Sequence, residues 1–189
     1  MTSASLEFWR NDCNLALDEI ESAHKSVGGS GRGRRYATQQ INYAYTMLLS
    51  SQFQAYCRVL HSECANYMVE GVGSVPLKSA LRDALVQNRK LDRGNPNPGN
   101  LGSDFDLFGL SFWENVRNLD LRNKERQNLL DDLNDWRNAV AHQDFTKVGG
   151  DSILHLRRVR SWRAACNHLG ACPRINLRTH NDLWIFINI

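Results

Sequence analysis

Apolar residues recur every three or four positions along most of the chain, which is the repeat of amphipathic α-helices. The repeat predicts six helices before residue 170. The first covers residues 5–26, and the second covers residues 36–69 without a proline or a glycine. At 1.5 Å per residue, this second helix would be about 50 Å long, enough for the central helix of a bundle. Gln52 and Glu63 lie on or beside its apolar face and are candidates to support a polar site in the core.

Four further helices are predicted downstream. A Ser-Val-Pro sequence suits the first turn of the third, and Ser103 with Asp106 resembles a capping box at the start of the fourth. The fifth begins near Lys124, and the sixth covers residues 151–169. The residues expected to be buried are Leu77, Leu81, Ala84 and Leu85 in the third helix, and Phe105, Phe108, Phe112, Val116 and Leu119 in the fourth. In the fifth helix they are Leu129, Leu133, Trp136 and Val140, and in the sixth Leu156, Val159, Trp162, Cys166 and Leu169.

Clusters of glycine, proline and asparagine mark the connections between helices. Residues 28–35 form a basic, glycine-rich loop, which is either a solvated connector or a mobile arm that contacts phosphates. Residues 93–100 are the densest run of turn formers and predict a surface excursion. The apolar segment 183–189 is expected to pack on the bundle as a strand-like segment or to contact a second subunit.

Together these patterns predict one all-α domain over residues 1–189, a helical bundle built on a long central helix with an irregular or strand-like C-terminal tail. The chain is 42% hydrophobic and 23% charged, as is usual for a globular domain. No apolar run is long enough to span a membrane, and the first residues lack the basic and apolar regions of a signal peptide. We therefore expect a cytoplasmic protein with no membrane association.

The formal net charge of +3 is unevenly distributed. Residues 151–189 hold six arginines against two aspartates, a balance of +4, so residues 1–150 carry −1. The arginines on the sixth helix are Arg157, Arg158, Arg160 and Arg163. A basic cluster of this kind is a candidate surface for RNA phosphates.

Five cysteines are scattered along the chain without a Cys-x-x-Cys pair, so we expect reduced thiols and no disulfide framework. Cys57, His61 and Cys64 fall on one helical face, a spacing that metal ligands use, but no fourth ligand is evident. Burial as small core residues is the favoured interpretation. Neither a metal nor another cofactor is predicted.

The most distinctive polar pattern is Arg137-Asn138-x-x-x-His142, at the end of the fifth helix. An arginine offers a planar, permanently charged fork for phosphate, and an imidazole can transfer a proton near neutral pH. Two other arginine–histidine pairs have similar spacing, Arg163 with His168 and Arg174 with His180. In both of these an apolar residue follows the arginine, so neither reproduces the polar residue at that position.

An Arg-Asn-x-x-x-His pattern at a helix end, in an all-helical chain, resembles the HEPN superfamily of small helical bundles. Many of its members are metal-independent ribonucleases of toxin–antitoxin and antiviral defence systems. The resemblance is sharp over residues 122–145 and architectural elsewhere. It implies an endoribonuclease with Arg137, Asn138 and His142 as catalytic residues, a homodimer with the active site at its interface, and a cognate antitoxin protein as partner.

RNA supplies its own nucleophile, the 2′-hydroxyl beside each phosphate. Cleavage then needs a base for that hydroxyl, an acid for the leaving 5′-oxygen, and stabilisation of charge on the five-coordinate phosphorus. We expect His142 to act as general acid or base, Arg137 to bind the phosphate, and Asn138 to orient one of them by hydrogen bonding. The expected products are a 2′,3′-cyclic phosphate and a 5′-hydroxyl.

Helix geometry limits how this site can be assembled. Each residue of an ideal helix advances about 100°, so Arg137 and His142 are separated by about 140°. They can reach one phosphate if the helix breaks after Val140, or if a second copy completes the site. We expect the second route, because HEPN proteins, which this chain resembles, commonly pair as two-fold dimers that bring both motifs to a shared cleft.

Three other functions remain open from the sequence. The first is a catalytically silent HEPN-like module that binds RNA or a protein. The second is an interaction protein that assembles through its apolar tail and aromatic helix. The third, less favoured, is an enzyme with Cys57 or Cys64 as nucleophile.

Overall fold

The computed structural model describes residues 3–28, 36–109, 111–171, 175–178 and 184–187. Most of the basic loop, the pair Arg174 and His180, and part of the apolar tail therefore lie outside the described residues. The fold is all-α, as predicted. Its helices are α1 (Ala4–Phe8), α2 (Asn14–Gly28), α3 (Tyr36–Met68), α4 (Val75–Val86), α5 (Pro98–Phe105), α6 (Phe112–Leu119), α7 (Asn123–His142) and α8 (Leu156–Gly170). Two short strands, β1 (Ile175–Arg178) and β2 (Trp184–Ile187), pair antiparallel in the C-terminal tail.

The central helix is α3, which ends within one residue of its predicted boundary. Because α1, α2, α7 and α8 all pack against it, α3 buries more than one face. Asn42 and Thr46 are buried beside Tyr45, and Nδ2 of Asn42 donates to the carbonyl of Leu154 at 2.8 Å. A single stripe therefore describes this helix poorly. The apolar spacing predicts one buried face marked by Ile41, Tyr45, Leu48, Gln52, Ala55, Val59 and Tyr67. This prediction is wrong at the C-terminal end, where Val59 and Tyr67 are each 39% exposed.

The predicted first helix is interrupted by a π-helical turn at Trp9–Cys13, between α1 and α2. Nδ2 of Asn14 donates to the carbonyl of Trp9 at 3.0 Å, which satisfies an acceptor in this widened turn. Trp9 and Cys13 are both buried. The π turn thus carries two core residues between the short α1 and the longer α2.

Helix α4 departs from its predicted packing. None of its residues is buried, and Leu77 and Leu81 are 51% and 42% exposed where a buried stripe is predicted. Ala84 is exposed as well. The helix contacts the core through half-buried Leu85 and Val86. The prediction fails because periodicity reveals an apolar stripe but not whether another element covers it.

The predicted aromatic helix is in fact two helices, α5 and α6. Asn97 caps α5 and a proline occupies its first position, so α5 begins inside the run predicted to be a loop. A short 3₁₀ turn at Asp106–Phe108 follows α5, and Gly109 ends it with left-handed backbone, at φ 76°. Asp106 accepts a hydrogen bond from the N–H of Phe112 at 2.9 Å, at the start of α6, and does not form the predicted capping box with Ser103.

Helices α7 and α8 pack closely against each other beside α3. The rings of Trp136 and Trp162 have centroids 6.3 Å apart, and both residues are fully buried, as predicted. Helix α8 starts later than predicted, at Leu156. The preceding segment is held instead by α3, where Gln39 and Tyr43 both donate to the carbonyl of Ser152. Among the described residues, no helix is both long and apolar enough to cross a membrane.

Candidate active site

Helix α7 continues without a break to His142. Gln143 ends the helix with left-handed backbone, at φ 56°, and its Nε2 donates to the carbonyl of Val140 at 2.7 Å. The broken-helix alternative is therefore wrong. Arg137 and His142 lie on one continuous helix, about 140° apart around it and about 7.5 Å apart along its axis.

Arg137 is half-buried, and among the described residues it has no carboxylate partner. Its Nη1 donates to Oδ1 of Asn138 at 3.2 Å, and Nδ2 of Asn95 donates to the same oxygen at 2.6 Å. Guanidinium nitrogens only donate, so the atom that faces Arg137 must be oxygen, and the atom of Asn95 that faces this oxygen must be nitrogen. Both amide orientations follow from this. Nδ2 of Asn138 donates to no other described residue.

Asn95 belongs to the loop that the sequence predicts to be a surface excursion. The loop is instead fastened to two helices of the bundle. Nε2 of Gln54 in α3 donates to the carbonyl of Gly94 in the loop at 2.8 Å and to that of Leu91, just before the loop, at 2.6 Å. Nδ2 of Asn134 in α7 donates to the carbonyl of Pro96 at 3.3 Å. Asn95 therefore reaches Asn138 from a backbone that is held from both sides.

Close packing inside the loop depends on small and amide-bearing residues. A Cβ at Gly94 would lie 2.8 Å from Nδ2 of Asn100, and this nitrogen donates to the carbonyl of Asn95 at 2.8 Å. The buried carboxylate of Asp104 accepts from two backbone N–H groups before Gly94, at 2.8 and 2.9 Å. Side-chain hydrogen bonds thus replace regular secondary structure, and the loop is a fixed part of the bundle.

His142 is exposed at the end of α7, and its side chain hydrogen-bonds no other described residue. Hydrogen bonds from the backbone N–H and the hydroxyl of Thr146 hold the pKa of Asp144 below its usual value. Electrostatic interactions with Lys147 and His142 lower it further by smaller amounts. The imidazole is thus accessible to a substrate or a second copy, in the neighbourhood of an ionised carboxylate.

Three of the four arginines in the predicted basic cluster are engaged in ion pairs. The pairs are Arg158 with Asp132, Arg160 with Glu21, and Arg163 with Asp18, each at 2.7 Å. The Arg158 guanidinium also lies over Trp136, 5.1 Å from the ring centroid. These arginines fasten α8 to α2 and α7, and the binding of RNA phosphates by the cluster stays a prediction. Arg157 is exposed and forms no ion pair with a described residue.

The polar residues predicted to support the site from α3 lie elsewhere. Glu63 accepts hydrogen bonds from the hydroxyl of Ser5 at 2.6 Å and from the N–H groups of Ala4 and Ser5 at 3.2 and 3.3 Å. It therefore stabilises the start of α1. The side chain of Gln52 makes no hydrogen bond with a described residue. Gln54, two positions on, supports the site indirectly through the loop.

Cys57, His61 and Cys64 are core residues. Burial raises the pKa of the Cys64 thiol to about 12 and that of Cys57 well above its usual value, and metal binding and nucleophilic attack both require a thiolate. Nε2 of His61 hydrogen-bonds the carbonyl of Asp104 at 3.1 Å. Within the described ranges, no three His, Cys, Asp or Glu side chains are arranged to hold a metal ion.

Comparison with known proteins finds no matching family model, no matching curated protein and no matching solved structure. The resemblance to HEPN proteins therefore rests on the residues of α7 and on the helical architecture.

Asn95 is the member of this arrangement that the sequence does not reveal. It lies 43 residues before Asn138, and no spacing rule connects a loop to a helix over that distance. The available signal is composition, because residues 95–100 include three asparagines whose amides can hydrogen-bond a neighbouring element.

Proposed function

We propose that this protein is a HEPN-type, metal-independent endoribonuclease, a toxin or antiviral defence effector that cleaves RNA. The supporting observation is at the end of α7. There a half-buried arginine with no carboxylate partner among the described residues is held by Asn138, and an accessible imidazole follows five residues later. A guanidinium that is partly removed from water gains most from an anionic partner, and phosphate matches its forked geometry.

Each group has a defined role in this reaction. A base takes the proton of the 2′-hydroxyl, whose oxygen attacks the adjacent phosphorus. The bond from phosphorus to the 5′-oxygen then breaks, and an acid returns a proton to that oxygen. His142 serves as base or acid, and Arg137 stabilises the charge that develops on phosphorus. Asn138 orients Arg137 through Oδ1 and offers Nδ2 to a phosphate oxygen.

The unbroken α7 makes a second copy part of the proposal. One chain directs Arg137 and His142 to different sides of the helix, so neither chain alone assembles the full set around one phosphate. A two-fold dimer brings both motifs to one groove and supplies two imidazoles, one for each proton transfer. We expect the protein to act in the cytoplasm, where a cognate antitoxin protein would inhibit it by covering this groove.

The experiment that tests the proposal compares the wild-type protein with His142→Ala, both on total RNA and on expression in growing cells. His168→Ala is the matched control, because it removes an exposed histidine from α8. Loss of RNA cleavage and of growth arrest in His142→Ala, with both retained in the control, supports the ribonuclease. RNA binding without cleavage by the wild type would favour the catalytically silent module.

A further inference from the structure

We propose that Asn95 is a positioning residue of the ribonuclease site and acts on Arg137 through Asn138, an inference that rests on the proposed function. Three polar side chains from two elements meet at one atom. Oδ1 of Asn138 receives Nδ2 of Asn95 at 2.6 Å and Nη1 of Arg137 at 3.2 Å. Asn95 lies in the loop before α5, whereas its two partners lie on α7.

The hydrogen-bonding capacity of an amide explains why Asn95 matters. A side-chain amide oxygen has two lone pairs, and both of those on Asn138 are used. If the amide turned over, its NH₂ group would face two donors. Asn95 therefore holds one orientation of Asn138, in which Oδ1 receives Arg137 and Nδ2 is left for a phosphate oxygen. Without Asn95, only the 3.2 Å bond to a charged, flexible side chain opposes that rotation.

The loop is held in place independently of this hydrogen bond. Gln54 bonds the carbonyl of Gly94, Asn134 bonds the carbonyl of Pro96, and Asn100 bonds the carbonyl of Asn95 itself. These bonds all act on the backbone of the loop, and the side chain of Asn95 takes part in none of them. Truncating that side chain should consequently leave the loop in place and release the amide of Asn138.

A charge change at Asn95 should act more strongly than truncation. In Asn95→Asp, a carboxylate would replace the donor that faces Oδ1 of Asn138. The Asn138 amide would turn to donate to the carboxylate, and the new negative charge would attract Arg137. Both groups would then be withdrawn from the phosphate. Asn95→Asp is therefore expected to be slower than Asn95→Ala.

The test is single-turnover cleavage of a fluorescent single-stranded RNA oligonucleotide of mixed sequence. Asn95→Ala is made in the wild type and in the Asn138→Ala background. We expect a loss of about tenfold to a hundredfold in the cleavage rate in the wild-type background, with little change in RNA binding, because misplacement acts on the transition state. In the Asn138→Ala background the same change should alter the rate by less than about twofold.

Asn115→Ala is the matched control, because among the described residues its side-chain amide bonds only the carbonyl of Ser111, at the N-cap of α6. It should retain the wild-type rate, and thermal unfolding of every variant checks that the fold is intact. Equal losses in both backgrounds would show that Asn95 acts independently of Asn138 and overturn the inference. An unchanged rate in Asn95→Ala, with active wild type, would overturn this inference alone. A wild-type protein without cleavage would overturn the proposed function and this assignment together.

Discussion

Arg137 and His142 lie on one unbroken helix with their side chains about 140° apart. Asn138 lies between them, about 100° from Arg137 and about 40° from His142 around the helix. The three polar groups of the motif therefore span about 140° around α7, with Arg137 and His142 directed to different sides of the helix. When two such helices face each other across a two-fold axis, the arginine of one chain can meet the histidine of the other.

RNA cleavage is expected to survive chelation of divalent metals, because the proton donor, the proton acceptor and the charge stabiliser are all side chains. The measurement is cleavage in excess EDTA, with the ends of the products identified by mass spectrometry. A 2′,3′-cyclic phosphate and a 5′-hydroxyl are expected. Loss of cleavage in EDTA with recovery on adding Mg²⁺ or Zn²⁺ would contradict the mechanism.

Among the four arginines of α8, only Arg157 is expected to contribute to the salt dependence of RNA binding, because Arg158, Arg160 and Arg163 already pair with carboxylates. Arg157→Gln should lower the slope of log affinity against log salt by about one. Arg158→Gln is the control. It should leave the slope unchanged and lower the melting temperature, since Trp136 loses the guanidinium over its ring and Asp132 loses its ion pair. An unchanged slope in Arg157→Gln would exclude Arg157 from the interface.

The stability of the fold is expected to fall in mild acid because of His61. Burial lowers the pKa of this imidazole below its ordinary value of 6.5, against the opposing effect of its hydrogen bond to the carbonyl of Asp104. As the pH falls below about 6.5, the unfolded chain binds the proton first. The contribution of neutral His61 to the free energy of unfolding is therefore complete above that pH. It is lost as the pH falls towards the pKa of His61 in the folded protein.

Denaturant unfolding between about pH 7.5 and about pH 5 measures this effect. In His61→Gln, the free energy of unfolding should fall less steeply with decreasing pH than in the wild type. Phe108→Leu is the control, because it changes a ring whose centroid lies 4.7 Å from that of the His61 ring without removing a titrating group. It should keep the wild-type dependence of unfolding free energy on pH. Equal slopes for the wild type and His61→Gln would show that another group is responsible.

The sequence predicts those parts of the fold that depend on local signals. Helix α3 follows from a long run without proline or glycine, and the burial of Leu133, Trp136 and Val140 on α7 follows from their spacing. Leu77 of α4 shows the limit of periodicity, because its stripe is visible in the sequence but no described element covers it. Which stripe is buried depends on neighbours that are distant along the chain.

The candidate site shows the same division. Arg137, Asn138 and His142 are identified by their order along one helix. The pairing of Arg163 with Asp18, and of Asn95 with Asn138, joins residues of different elements, so it appears only when those elements are packed. The local sequence therefore identifies the three side chains that we assign to the chemistry. The fold shows that Arg163 is paired with a carboxylate and that Asn95 fixes the amide of Asn138.

The most direct test of the shared-site ribonuclease is the activity of mixed dimers. Subunits carrying Arg137→Ala and subunits carrying His142→Ala are each expected to lose about a hundredfold or more in RNA cleavage as homodimers. In the heterodimer, the shared groove keeps one intact Arg137 and one intact His142, which come from different chains, and it lacks the second imidazole. The account predicts that the purified heterodimer cleaves RNA faster than either parent homodimer and more slowly than the wild type. Heterodimers as inactive as the two parents, or a strict monomer in light scattering that cleaves RNA at the full rate, would contradict it.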